Sequence, residues 1–239
     1  MCTVSYIPAT GGYFLTSNRD EKSTRGNALD PKIYTYKNIN LIFPKDPDAN
    51  GTWIVLKENN DALCLLNGAF SNFIDKENYT VSRGIVVLEI AATQNMYDSF
   101  NEIDLSNAAP FTLIMIINSA LHECMWDGEQ KHIKVLDAAM AHIWSSATLY
   151  DEVQRETRKN WFNKFIHQKY FPTQEEIINF HTYSGDGNVE NDLVMNRDNK
   201  YFTVSITSIA VTDNSYMLYQ NLTTHDRSSA AFAQELAIG

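Results

Sequence analysis

Short runs of β-branched, aromatic and aliphatic residues, separated by turn signals, dominate the start of the chain. Residues 3–7 and 13–17 flank the segment Pro8-Ala9-Thr10-Gly11-Gly12, and this pattern predicts a β-hairpin. The loop can close in two ways that differ by one residue, so Cys2 is predicted to face either Asn18 or Arg19. Because directly opposed residues have Cβ atoms about 4.5 to 5.5 Å apart, the hairpin brings the start of the chain against Asn18-Arg19-Asp20-Glu21.

The same patterns predict several further strands and a smaller number of helices. Strands are predicted over residues 52–56, 62–66, 111–118, 121–126, 132–136, 201–212 and 216–222. Helices are predicted over residues 84–91, from there to about 101, over 151–168 and over 173–180. Residues 184–199 have the composition of a surface loop, and the chain after residue 223 that of a tail. Without regular βαβ alternation, this order favours an α+β fold with helices on the faces of mainly antiparallel sheets.

Composition and charge restrict the class of protein. The 239 residues are 44% apolar and 20% charged, which suits one domain over residues 1–239. Nineteen basic against 29 acidic residues give a net charge of −10, so the field of the molecule repels phosphate backbones. We therefore expect a small-molecule substrate or ligand and no nucleic acid. The oligomeric state is left open.

The apolar runs and the cysteines indicate the compartment. No run approaches the roughly eighteen apolar residues of a membrane span, and the first residues lack a basic leader with an apolar core. The three cysteines, Cys2, Cys64 and Cys124, are an odd number at wide spacing, which favours reduced thiols. We expect a cytoplasmic protein without a membrane span.

Cys2 carries the most distinctive chemistry in the sequence. If Met1 is removed, this residue holds a thiol and a free α-amine, so a nucleophile and a weak base lie on one residue. At model values the two groups titrate within about one pH unit of each other, so a proton passes between them at little cost. A cysteine at this position can equally be a small strand residue.

Several short segments together resemble one protein family. They are Met1-Cys2-Thr3, Leu15-Thr16-Ser17-Asn18-Arg19-Asp20-Glu21, Gly51-Thr52-Trp53, Leu65-Leu66-Asn67, Ser82-Arg83-Gly84, His142-Ile143-Trp144-Ser145-Ser146 and residues 201–211. The chain resembles the NRDE family, which includes the transport-and-Golgi-organisation proteins. Through that family it is similar to the N-terminal nucleophile (Ntn) hydrolases of the choloylglycine hydrolase and penicillin acylase branch.

The resemblance implies a four-layer αββα sandwich and hydrolysis of a non-peptide amide or ester through a thioester on Cys2. Arg19 would lie beside the sulfur, Asp20 would bind the α-ammonium, and the Asn67 side chain would donate to the oxyanion. Asn18 and Ser146 would contact substrate. A guanidinium near a thiol favours the thiolate, and an oxyanion donor of this kind is worth about 3 kcal/mol in acyl transfer.

Simpler interpretations stand beside these roles. Arg19 and Asp20 can form a hairpin-end ion pair worth less than about 1 kcal/mol, and Asn67-Gly68 can be a turn that needs positive φ. Ser146 occupies a position where the family commonly has Asn, which favours an alternative function as a non-catalytic carrier or trafficking protein for haem or lipid. The six histidines fall at no metal-ligand spacing, so neither a metal nor a cofactor is expected.

Overall fold

The computed structural model describes residues 2–70 and 79–233. Two antiparallel sheets of seven strands each and four helices make up these ranges. The strands are β1 (Cys2–Ala9), β2 (Gly12–Lys22), β3 (Leu29–Tyr36), β4 (Ile39–Lys45), β5 (Ile54–Lys57), β6 (Ala62–Asn67), β7 (Phe111–Ile117), β8 (Ala120–Trp126), β9 (Lys131–Leu136), β10 (His142–Ser145), β11 (Asn196–Arg197), β12 (Tyr201–Val211), β13 (Ser215–Asn221) and β14 (Arg227–Ala231). The helices are α1 (Arg83–Ala91), α2 (Met96–Glu102), α3 (Glu152–Gln168) and α4 (Gln174–Tyr183).

Strand order differs between the two sheets. The first sheet runs β10-β1-β2-β12-β13-β14, with β11 beside β12, so both ends of the chain contribute to it. The second sheet runs from β3 to β9 in chain order, as a meander. The chain start and the oxyanion candidate Asn67 therefore belong to different sheets.

The elements form four layers. Helix α1 packs on β5 and β6 of the second sheet, and α2 packs on α1. Helix α3 packs on β10 of the first sheet, and α4 packs on β2 and β12. The sheets face each other, with β1 against β6 and β3 against β13 and β14. The α+β class and the αββα sandwich expected from the sequence are confirmed.

Strand β1 is buried on both faces because its sheet lies between the second sheet and the helices. Cys2, Val4 and Tyr6 belong to the apolar core between the sheets, whereas Ile7 packs with Phe162 of α3 and with α4. Successive side chains of a strand point to opposite faces. Cys2 therefore faces the space between the sheets.

The two helices on the first sheet begin at capping boxes. Asp151 accepts from the backbone of Gln154, and Thr173 accepts from the backbone of Glu176, as the sequence predicts for α4. Helix α3 turns a charged residue inward: Arg158 is fully buried, whereas Val153, expected on the apolar face, is 75% exposed. This inversion places a permanent positive charge under the first sheet.

Strands β3, β4 and β10 were not predicted from the sequence, and two further segments differ from their predicted type. The prediction of a tail after residue 223 is wrong, because Arg227–Ala231 pairs with β13 as an edge strand. Its small and polar residues lack the apolar alternation of a strand, and the ladder bonds to β13 define it instead. The predicted surface loop 184–199 contains the short strand β11 and two buried apolar residues, Leu193 and Met195.

Candidate functional site

The first hairpin closes in the tighter of its two predicted registers. Cys2 pairs with Arg19, and Thr3 pairs with Asn18. The Cys2 side chain is 3% exposed, as is that of Arg19, and both border one cavity between the ends of the sheets. The prediction that Cys2 faces Asn18 or Arg19 is confirmed, with Arg19 as the partner.

The cavity has a volume of about 680 Å³. Asn67 at the end of β6 lines it together with Cys2 and Arg19, so residues from both sheets meet there. Trp53 and Tyr201 add aromatic surface to the wall. Three of the six site residues expected from the sequence thus border the same cavity.

Arg19 is held rigidly in the cavity wall. Its Nη2 donates to Asp46 Oδ2 at 2.7 Å and lies 3.4 Å from Glu21 Oε1, while its guanidinium lies 4.5 Å from the centre of the Trp53 ring. Burial works to raise the pKa of Asp46, but hydrogen bonds from Arg25 and a backbone N–H lower it below its usual value. Asp46 therefore stays ionised and fixes the guanidinium.

The Cys2 thiol lies in an environment that favours its neutral form. Burial raises its pKa, and the charge of Asp20 adds to this effect, while a hydrogen bond with the Ser17 side chain opposes it. Ser17 also hydrogen-bonds the thiol of Cys64, whose pKa is raised far above its usual value by burial. Burial raises the pKa of Cys124 to about 12. Of the three thiols, Cys2 is the one that borders the 680 Å³ cavity.

Ser146 connects the two sides of the cavity. Its backbone N–H donates to the Cys2 carbonyl at 2.9 Å, and its hydroxyl donates to the Asn67 carbonyl at 2.7 Å. Thr148 lies 3.0 Å from the same hydroxyl and lines the cavity. Ser146 itself borders a second cavity of about 450 Å³, on the side of Trp144. Its hydroxyl is thus engaged with the chain and lies outside the lining of the first cavity.

Asp20 points to the other face of β2, towards the helices. Its carboxylate accepts hydrogen bonds of 2.7 Å from Tyr150 and from Thr203. Burial raises the pKa of Asp20, while the charge of Arg158 and the hydrogen bonds from Thr203 and Tyr150 lower it. The guanidinium of Arg158 lies 3.5 Å from the centre of the Tyr150 ring. Asp20 therefore lies in a buried polar network behind the cavity.

Asn18 does not reach the cavity. It is fully buried, and its Nδ2 donates to the carbonyls of His181 and Leu193 at 3.0 and 2.8 Å. Its Oδ1 accepts from His181 Nδ1, whose Nε2 lies 2.7 Å from the Ser5 hydroxyl. All polar atoms of its side chain are therefore used within the fold, away from the cavity.

Several residues of the site have weak or no sequence signals. Trp53 follows Gly51-Thr52 in a recognisable segment, whereas Arg158, four residues before Phe162 on α3, is a charged residue at a position where the helical pattern predicts an apolar one. Asp46 and Tyr150 have no such signal, because only the tertiary fold brings them to Arg19 and Asp20.

In residues 2–70 and 79–233, no group of three or more His, Cys, Asp or Glu side chains is placed to hold a metal ion. None of the helices within those ranges is both long enough and apolar enough to cross a bilayer.

Comparison with known proteins identifies the family and the fold. The sequence model of the Transport and Golgi organisation 2 family matches residues 1–220. A Caenorhabditis elegans N-acylethanolamine-hydrolyzing acid amidase ortholog superposes with a TM-score of 0.61 at 11% identity, covering 89% of this chain and 94% of that chain. A mutant conjugated bile acid hydrolase from Clostridium perfringens superposes with a TM-score of 0.61 at 8% identity, covering 97% and 92%. No curated protein matches the sequence. The fold is that of the Ntn hydrolases.

Proposed function

Because this chain belongs to the Transport and Golgi organisation 2 family, with the fold of the Ntn hydrolases, we propose that Cys2 is a catalytic nucleophile. Its substrate is a small acyl amide or ester, hydrolysed through a thioester. The observation that carries the proposal is the meeting of Cys2, Arg19 and Asn67 on one cavity of about 680 Å³. By name, the neighbouring structures include hydrolases of N-acylethanolamines and of conjugated bile acids, and this supports the substrate class.

The reaction starts from a chain whose Met1 has been removed; Met1 lies outside the described residues. The α-amine of Cys2 takes the thiol proton, and the sulfur attacks the substrate carbonyl carbon. The oxyanion accepts a hydrogen bond from the Asn67 side-chain amide. The bond to the leaving nitrogen or oxygen then breaks, and the α-ammonium gives its proton to the leaving group. Water attacks the thioester, and the thiol and free acid are released.

Arg19 and Asp20 act on the charges that form during attack. The Arg19 guanidinium, fixed by Asp46 at 2.7 Å, presents a positive charge at the cavity wall and favours the thiolate. Burial favours the neutral thiol, and the positive charge of Arg19 opposes this effect of burial. Asp20 lies on the opposite face of β2, and in a chain without Met1 its negative charge would favour the ammonium form of the Cys2 α-amine.

Ser146 is a positioning residue in this scheme. One backbone bond to Cys2 and one hydroxyl bond to Asn67 set the separation between the nucleophile and the oxyanion donor. Catalytic geometry of this kind must be held within about 0.5 Å to be productive. The serine that replaces the common family Asn thus has a role without touching substrate.

The experiment is covalent labelling of the purified full chain with an acyl chloromethyl ketone, followed by intact-mass analysis. We expect the mature wild type to lack Met1 and to gain one adduct. Cys2→Ala should abolish the adduct, and the matched control Cys64→Ala should retain it, since Cys64 is a fully buried thiol with a strongly raised pKa. Equal labelling of Cys2→Ala, or a mature chain that keeps Met1, would contradict the proposal.

A second candidate function is that of a carrier for haem or lipid. The observation that favours it is the loss of a polar group from the cavity wall, because the Ser146 hydroxyl is occupied by the Asn67 carbonyl. The Cys2 thiol, whose pKa is raised by burial, would then remain protonated and would only line the cavity. Saturable binding of haemin or acyl-CoA by a chain that forms no adduct would favour the carrier; hydrolysis of bound acyl-CoA would favour the enzyme.

A further inference from the structure

Thr148 occupies a defined place beside the oxyanion donor. It lines the cavity together with Cys2 and Asn67, and it packs on Gly68, the residue after Asn67. A Cβ atom on Gly68 would lie 2.8 Å from Cγ2 of Thr148, so the glycine is what allows this approach. The side chain of Thr148 is therefore fixed next to the position where a substrate carbonyl would be bound.

The direction of the hydrogen bonds around Thr148 follows from counting protons. Ser146 has one hydroxyl proton, and it is donated to the Asn67 carbonyl, which can only accept. The bond of 3.0 Å between the two hydroxyls then requires Thr148 to be the donor and Ser146 the acceptor. With its own proton committed, Thr148 Oγ1 presents only lone pairs to the cavity.

We propose that Thr148 Oγ1 accepts a hydrogen bond from the N–H of the scissile amide, and so makes the site selective for secondary amides over esters. This inference rests on the proposed function and names the substrate class of the same cavity. An ester has an oxygen in place of this N–H and offers Thr148 no proton.

The chemistry of acylation gives this bond a further effect. As Cys2 Sγ attacks, the amide nitrogen becomes pyramidal and must turn its lone pair towards the α-ammonium that will protonate it. A hydrogen bond to Thr148 holds the nitrogen's own N–H on the opposite side. The C–N bond then breaks as the nitrogen takes the ammonium proton, and an amine leaves with both hydrogens.

The test compares the hexanoyl p-nitroanilide with the hexanoyl p-nitrophenyl ester, using the full chain with Met1 removed. For both probes, kcat/KM reports steps up to acylation. In Thr148→Val, which keeps the methyl that packs on Gly68, the ratio of anilide to ester kcat/KM should fall roughly tenfold, the worth of one neutral hydrogen bond. Thr148→Ser, which keeps the hydroxyl, should retain the wild-type ratio.

The outcomes separate this inference from the proposed function. Equal losses for both probes in Thr148→Val would overturn the inference, because a purely structural role of Thr148 would disturb Asn67 for either substrate. No loss for either probe would overturn it as well, because the ratio of anilide to ester kcat/KM would again keep its wild-type value. A wild type that labels at Cys2 but hydrolyses neither probe would overturn the proposed function and, with it, the inference.

Discussion

The hydroxyl of Tyr150 donates a hydrogen bond of 2.7 Å to Asp20, behind the strand that carries Arg19 into the cavity. Arg158 stacks on the Tyr150 ring and also donates to the Thr3 hydroxyl and to the carbonyls of Asn191 and Asp192. A buried carboxylate and a buried guanidinium are thus joined through one phenol. The network supports the ends of β1 and β2 from the side opposite the cavity.

Replacing Tyr150 with Phe should destabilise the protein. The change removes a hydrogen bond to a buried carboxylate, and a hydrogen bond to a charged group is worth about 1.5–3 kcal/mol. Urea unfolding followed by tryptophan fluorescence measures the loss. Tyr170→Phe is the matched control, since Tyr170 is 88% exposed and should change the unfolding free energy little. Equal effects of the two variants would contradict the role of the Tyr150 hydroxyl.

Replacing Ser146 with Ala should affect turnover more than stability. The backbone bond to Cys2 remains, but the hydroxyl bond of 2.7 Å to the Asn67 carbonyl is lost. We expect kcat to fall about tenfold for the ester and at least as much for the anilide, because a looser Asn67 weakens oxyanion stabilisation for either substrate and Thr148 loses the acceptor that orients its hydroxyl. Steady-state kinetics check this. Ser145→Ala is the control, and a similar fall there would show that the segment as a whole, and not the Ser146 hydroxyl, determines the rate.

The hairpin register shows how far the sequence determines this site. A turn signal between two short strands is enough to place Cys2 opposite Asn18 or Arg19, and the structure has Arg19. Because side chains along β2 point alternately to its two faces, neighbouring residues of Asn18-Arg19-Asp20-Glu21 point in opposite directions. Arg19 faces the cavity and Asp46, whereas Asp20 faces Tyr150 and the helices. The motif therefore predicts which residues lie near Cys2, but their division between two faces depends on the strand.

Other parts of the fold and of the site cannot be predicted from local sequence patterns. Strand β14 has too few apolar residues to be recognised, and it exists because β13 offers an unpaired edge. Asp46 meets Arg19 only because β4 and β2 belong to facing sheets. Arg158 interrupts the apolar face of α3, since a polar network lies beneath this part of the helix. Contacts of this kind depend on tertiary packing, which no short window of sequence contains.

Replacing Gly68 with Ala should destabilise the protein more than a positive φ alone explains. Gly68 has φ of 82°, a conformation unfavourable for a residue with a Cβ by about 1–2 kcal/mol. The added Cβ would also meet Thr148 at 2.8 Å. Gly187→Ala is a matched control, because Gly187 has φ of 89° and no atom within 4 Å of the Cβ position.

Thermal unfolding of the two glycine variants separates strain from contact. Gly187→Ala should show the backbone cost alone, and Gly68→Ala should show a larger loss together with reduced turnover. A loss in Gly68→Ala no greater than in Gly187→Ala would show that Thr148 can move away from this position without cost. The close approach of Thr148 to Asn67 would then not be enforced by the fold.

The buried His181 should make the protein less stable in acid. Burial and the nearby charge of Arg158 lower the pKa of His181 to about 3, and its ring lies between Asn18 and Ser5. In the unfolded chain an ordinary histidine titrates near ~6.5. Between these pH values the unfolded state binds a proton that the folded state does not. Stability therefore falls as the pH falls, by up to about 1.4 kcal/mol per pH unit from this group.

Urea unfolding of wild type and His181→Gln between pH 7 and pH 4 measures this contribution. The glutamine keeps one donor and one acceptor for Asn18 and Ser5 but cannot be protonated in this range. We expect His181→Gln to be less stable than wild type at pH 7 and to show a shallower loss towards pH 4. His225→Gln, which changes an exposed histidine, should keep the wild-type slope. A wild-type slope in His181→Gln would mean that other groups govern acid unfolding and that His181 is not held neutral by the fold.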